Sequence, residues 1–221
     1  MHRSGTSVLG GLMNKMGLKT GGPLIQAGSD NVKGFFERID VVLQNDYIMR
    51  AQNVHYSFNT HKYDAGKGLV SVLNADDKFF NEGKRGLAFL NNAVNYPWML
   101  KDPRLCITMR TWLPLLNFIP AIVFTYRHPL DVALSMHNRE TEHFPIGKAM
   151  RLWYVYNKRA IQQSNDLCRV VTSHRHVMSQ PQEELDRVYT ELREQCGVQV
   201  PHKVSHEDVV TFVDPKLQHG K

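Results

Sequence analysis

Residues 121–126 (Ala121, Ile122, Val123, Phe124, Thr125 and Tyr126) are a continuous apolar, β-branched and aromatic run. A strand with one wet face alternates, whereas an unbroken apolar strand is buried on both faces, as in the middle of a parallel sheet. Arg127, His128 and Pro129 follow at once. Proline suits the first turn of a helix, so the pattern predicts strand, turn and helix through about residue 138. Parallel strands need crossover connections, usually helices, which commits such a chain to an α/β architecture.

The remaining pattern agrees. Apolar spacing and capping signals predict helices over 7–18, 39–52, 82–94, 105–116, 146–165 and 181–196, the last stopped by Gly197. Short buried strands are expected at 98–100 and 167–172, and an irregular polar excursion over 55–77. Residues 1–200 read as one domain and 201–221 as a C-terminal tail with no clear element except 209–213. The expected fold is a three-layer, P-loop-like α/β domain with a mainly parallel central sheet flanked by helices. In such sheets ligands sit beyond the carboxyl ends of the strands. The loops at 3–7, 101–104 and 127–129 should therefore meet on one rim.

Composition narrows the function. At 221 residues and 42% hydrophobic content, one domain with a real core is expected. Cys106, Cys168 and Cys196 lack CxxC spacing and read as buried reduced thiols rather than a zinc ribbon or disulfide framework. A net charge of +6 suits an anionic ligand, and the 27 Lys and Arg are scattered, which favours a concave site for one multiply anionic small molecule over nucleic acid. The most apolar stretch, 112–126, is broken by Pro114, Asn117 and Pro120, and reads as core rather than membrane span. No signal peptide is visible, so the chain as written reads as cytoplasmic, with an anchor upstream of Met1 left open.

Two motifs carry the chemistry. Arg3-Ser4-Gly5-Thr6-Ser7 opens a helix with a basic residue, a glycine turn and paired hydroxyls. The first N–H groups of a helix lack intrahelical partners and the dipole favours an anion there, so this is the composition of a phosphate or sulfate cradle. By itself it is equally a capped helix with Ser4 or Thr6 as N-cap. The Walker pattern G-x-x-x-x-G-K-[ST] is absent, which argues against a nucleotide triphosphatase or other phosphotransferase. In the second motif Arg127 leaves the strand end and Ser135 lies two helical turns on, a cation and a hydroxyl suited to a second phosphate or, more plainly, a surface Arg and an ordinary helical Ser.

Together the motifs resemble the sulfotransferase superfamily, whose members transfer a sulfonyl group from 3′-phosphoadenosine 5′-phosphosulfate (PAPS). Arg3, Ser4, Gly5, Thr6 and Ser7 look like its 5′-phosphosulfate loop, and Arg127 with Ser135 like its 3′-phosphate site. Lys101-Asp102-Pro103-Arg104 resembles a segment of the bacterial and carbohydrate-acting branches. The resemblance spans residues 1–197 and implies in-line transfer to a hydroxyl acceptor, carbohydrate or other, with PAPS as co-substrate and no metal. Arg3 would stabilise charge on the leaving oxygen. Lys33-Gly34-Phe35-Phe36-Glu37 is similar to the segment that carries a glutamate base, which makes Glu37 the candidate base, or else an acidic residue answering the dipole of the next helix. Other branches use a histidine, for which His55 is the second choice. Asp102 and Arg104 would orient the acceptor or simply pair with each other. Family members carry a buried strand directly before the phosphosulfate loop, where this sequence has Met1, and an acidic segment where it has residues 173–178. The alternative is therefore a catalytically inactive nucleotide-binding remnant or fragment.

Overall fold

A computed structural model describes residues 1–28, 31–73, 80–139 and 144–213. The chain is mixed α/β, and helices dominate it. Helix α1 (Thr6–Lys15) opens the fold, followed by α2 (Ile39–Arg50), α3 (Ala65–Leu73), α4 (Phe80–Leu90) and α5 (Leu105–Trp112). Strand β1 (Ile122–Tyr126) leads through α6 (Pro129–Arg139) and α7 (Ile146–Gln163) to β2 (Arg169–Ser173), and α8 (His174–Ser179), α9 (Pro181–Glu194) and α10 (His206–Phe212) complete it.

β1 and β2 pair in parallel, from Ile122 opposite Arg169 to Tyr126 opposite Ser173. Among the described residues this is a two-stranded sheet. The 98–100 run makes one parallel bridge, in which Lys19 N–H donates to the Pro97 carbonyl at 3.0 Å and Met99 N–H to the Lys19 carbonyl at 2.8 Å. β1 is accordingly half-buried rather than enclosed on both faces, with Tyr126 43% exposed. At β2, Arg187 Nη2 donates to the Val171 carbonyl at 2.7 Å, a side chain doing what a further strand would do.

Two buried groups form the core. One gathers Ile48, Met49, Ile107, Val132 and Tyr156 from α2, α5, α6 and α7. The other gathers Leu12, Met13, Val170, Leu185, Val188 and Val209 from α1, β2, α9 and α10. The stretch read as a tail is thus structured through residue 213: Ser205 caps α10 through Asp208 N–H at 3.0 Å, and Val204, Val209 and Val213 are buried. Part of the expected irregular excursion is α3, and α8 follows β2 without a break. Among the described residues no helix is long and apolar enough to cross a membrane.

The thiol expectation is corrected. Cys168 and Cys196 form a disulfide with Cα atoms 5.5 Å apart, and Cys106 alone is free. The bond ties the start of β2 to the end of α9 across 28 residues, a pairing that packing of the helix against the strand creates and that sequence spacing does not advertise. A loop of that length stabilises by about 2–4 kcal/mol. Thiol titration of the unfolded, unreduced protein should therefore count one thiol of the three cysteines, and Cys168→Ser should lower unfolding free energy by about 2–4 kcal/mol.

Candidate functional site

The loop at residues 2–5 sets the geometry. Arg3 has φ 60 and Gly5 φ 80, both in the left-handed region, so the chain turns sharply before α1. Glycine is required at position 5 twice over, because a Cβ there would also fall on the His174 ring. The first intrahelical bond of α1 runs from Leu9 N–H to the Gly5 carbonyl at 3.1 Å, and no side chain caps the helix. The helix itself leaves the N–H groups of Thr6, Ser7 and Val8 unbonded. These three residues, with Gly5, line a cavity of about 480 Å³.

The cavity is cationic. Arg3, Lys33, Lys101, Arg104, Arg127 and Arg139 line it against a single described carboxylate, Glu37. Arg3 Nε donates to Ser135 Oγ at 2.9 Å, and Arg127 Nη1 reaches the Arg3 carbonyl at 3.5 Å. The structure thus brings the two sequence motifs together across 132 residues, with both guanidiniums on the same side of the cavity. Arg127 Nε is buried, 3.8 Å from Asp131 Oδ2, and makes no hydrogen bond among the described residues.

A second cluster lies at the other side of the α1 N-terminus. Lys101 Nζ donates to Glu37 Oε1 at 2.5 Å and to Ser7 Oγ at 3.2 Å. Arg104 Nη1 lies 3.9 Å from Glu37 Oε2, while its Nε holds Asp46 Oδ1 at 2.6 Å and its Nη1 holds Asp102 Oδ1 at 3.0 Å. Glu37 is pinned by its neighbours: its carbonyl accepts from Ile25 N–H at 2.8 Å, and Arg38 forms a two-pronged pair with Asp40. Burial pushes the Glu37 carboxyl above the usual carboxylate range; Lys101 opposes the rise, Asp102 adds to it, and Arg104 opposes it. Burial lowers the Arg104 guanidinium, but Asp102 and Asp46 outweigh it and hold that charge firmly.

Two histidines complete the lining. His2 packs against Tyr56 and Tyr156, with ring centroids 5.2 Å and 5.7 Å away, and its Nε2 is buried without a hydrogen-bond partner among the described residues. Burial, together with Arg104 and Lys101, keeps His2 well below the ordinary histidine range. His174 begins α8 at the carboxyl end of β2 and is lowered to about 4 by burial and by Arg127, against the pull of Asp131. The mouth opposite is apolar, formed by Ile25, Val32, Phe35, Met178, Phe212 and Val213.

Comparison with protein-family models, with curated proteins and with solved structures finds no match to this chain.

Of the residues singled out from sequence, Arg3, Gly5, Thr6, Ser7, Glu37 and Arg127 line the cavity. Ser4 is fully buried, its Oγ without a partner among the described residues, and Ser135 is buried behind Arg3. His55 does not line the cavity: it closes a tight turn with Phe58, with Nδ1 2.8 Å from Ser57 Oγ, and only its neighbour Tyr56 reaches the wall. Asp102 and Arg104 are an ion pair. Sequence reasoning missed roles for Lys101, His2 and His174. Lys101 and His174 had a usable signal, since each follows a predicted strand end just as Arg127 does; the His2 contacts had none. Among the described residues no group of three or more His, Cys, Asp and Glu is placed to hold a metal ion.

His174 gives a pH signature. Its native form resists the proton that the unfolded chain accepts near 6.5, so stability present above pH 6.5 should be lost as pH falls towards about 4. Thermal melting across that window should show the decline, and His174→Gln should flatten it.

Proposed function

We propose that this chain is a PAPS-dependent sulfotransferase acting on a hydroxyl acceptor. The observation that supports this most is the lining of the cavity: six Lys and Arg side chains, with Glu37 the one carboxylate among the described lining residues, around the N-terminus of α1. A small molecule bearing two separated anionic groups fits that distribution, because three of the cations fall into two sets. Arg3 and Arg127 form one, beside α6. Lys101 and the first turn of α1 form the other. The 3′-phosphate is assigned to the first set and the phosphosulfate to the second.

In the transfer, the acceptor oxygen attacks sulfur while the bond from sulfur to the bridging phosphate oxygen breaks, and adenosine 3′,5′-bisphosphate departs. Glu37 takes the acceptor proton; burial supplies a carboxyl basic enough to do so nearer neutrality. Negative charge grows on the bridging oxygen, where the N–H groups of α1 and the Lys101 ammonium offer fixed positive charge. Arg3 was expected at that position from sequence. Its bond to Ser135 instead favours a role at the 3′-phosphate. The three-layer arrangement of the family belongs to the same proposal, supported by the parallel β1–β2 pair and its helical crossover.

Adenosine 3′,5′-bisphosphate at about 100 times its dissociation constant should add about 2.7 kcal/mol to stability. For a domain of this size that raises Tm by about 5–10 °C. AMP and ATP should give smaller shifts, and Arg127→Ala should abolish the shift. Absence of any shift from the bisphosphate in the folded protein would sink the proposal. Glu37→Gln should retain the shift and lower kcat about 10²- to 10⁴-fold in transfer to an accepted hydroxyl compound. A shift without transfer to any acceptor would point to the catalytically inactive nucleotide-binding alternative.

A further inference from the structure

The Lys101 ammonium touches both halves of the site at once. It lies 3.2 Å from Ser7 Oγ, in the first turn of α1, and 2.5 Å from Glu37 Oε1. Its side chain is 11% exposed and that of Glu37 8%, so water does little to screen the pair. An anion seated on the N–H groups of α1 and on the Ser7 hydroxyl therefore arrives within reach of the same three Nζ–H donors that now serve Glu37. The ammonium cannot give both partners its full charge.

We propose that Lys101 couples the two halves of the cavity: an anion held at the N-terminus of α1 draws the ammonium away from Glu37, and Glu37 then binds a proton more readily. This coupling rests on the donor-site reading above and deepens it. With the cradle empty, the ion pair with Lys101 holds the Glu37 carboxylate less basic than burial alone would make it. With the donor in place, its carboxylate is released and is more basic, so proton acceptance from the acceptor is tied to the presence of the group that will be transferred.

The charged groups around Glu37 fit a relay through Lys101 rather than through another side chain. Arg104, the other cation facing Glu37, is held at 2.6 Å by Asp46 and at 3.0 Å by Asp102, and at 3.9 Å from Glu37 it is the looser contact. Asp102 repels the Glu37 carboxylate and is itself fixed by Asn45 Nδ2 at 2.8 Å. Of these cations Lys101 is the one that also donates to the first turn of α1, at Ser7 Oγ. His2 and His174 face the same cavity and each gains a proton more easily when an anion arrives, so both contributions have to be removed separately.

Inorganic sulfate is the probe, because it carries the anion chemistry without titrating in the range of interest. Isothermal titration of the doubly substituted protein, His2→Phe with His174→Gln, with sulfate in buffers of different ionisation enthalpy between about pH 5 and about pH 8 measures the protons taken up per sulfate bound. The expected result is uptake of a fraction of a proton, with the sulfate dissociation constant rising with pH by no more than about tenfold per pH unit. Glu37→Gln should bind sulfate with that uptake gone. Lys101→Gln should also lose it, and Lys101→Arg should restore part of it if the glutamine variant fails to fold. Sulfate binding without uptake, uptake that survives in Glu37→Gln, or no sulfate binding at all would each overturn the coupling. Binding of adenosine 3′,5′-bisphosphate, measured on the same protein, reports separately on the donor-site reading.

Discussion

Asp102 is the residue on which the arrangement of the site depends. It accepts from Asn45 Nδ2 at 2.8 Å, from Arg104 N–H at 2.9 Å and from Arg104 Nη1 at 3.0 Å, all in a buried setting. Asn45 turns its oxygen to Thr108 Oγ1 at 2.8 Å and to Trp112 Nε1 at 2.7 Å. One network thereby joins α2, the 101–104 turn and α5. Such a network is satisfied as a unit, and removing one partner of a buried charge pair costs about 3–5 kcal/mol because the other is stranded. Its consequence for function is positional: with Asp102 and Arg104 fixed, Lys101 emerges from the turn pointing at Glu37 and Ser7.

The loop before α1 is the second fixed element. Its left-handed residues at 3 and 5 and the close approach of His174 leave little freedom, and the aromatic packing of His2 holds its other end. Backbone strain of this kind persists where the surroundings over-determine the conformation. Here it aims the first turn of α1 and the Arg3 guanidinium into the same space as Arg127. The site is therefore built from rigid pieces that approach from both cores: α1, α8 and α10 from one, and α6 from the other.

α10 shows how a segment that looks marginal in sequence becomes part of the wall. Lys33 Nζ donates to the carbonyls of Thr211 and Phe212, both at 2.7 Å, which caps the end of the helix with a cation. The Phe212 ring lies so close to α1 that a Cβ at Gly11 would overlap it. Lys15 pairs with Asp208 at 2.9 Å on the exposed side, a contact of little energetic weight beside the buried valines. Lys33, four residues before Glu37, thus anchors the helix whose Phe212 lines the cavity.

Local signals alone determined the helices from α1 to α9 that carry strong apolar periodicity or a proline start, both parallel strands, and the turn before α1 with its glycine at position 5. These are readable because propensity, capping and period act over a few residues. They did not determine α3, whose Gly66 and Gly68 weaken the helical signal and whose Gly68 packs directly against Tyr63 and Thr111. Nor did they reveal the six-residue α8 or the way α10 docks. The Lys101–Glu37 contact spans 64 residues, the Arg3–Ser135 bond 132, and the Cys168–Cys196 disulfide 28. Each depends on how helices pack around the β1–β2 pair, which no local pattern encodes. The sequence by itself settled which cationic and hydroxyl side chains surround the start of α1; tertiary packing decided that Lys101 stands between Ser7 and Glu37, that Arg3 turns to Ser135, and that Cys168 pairs with Cys196.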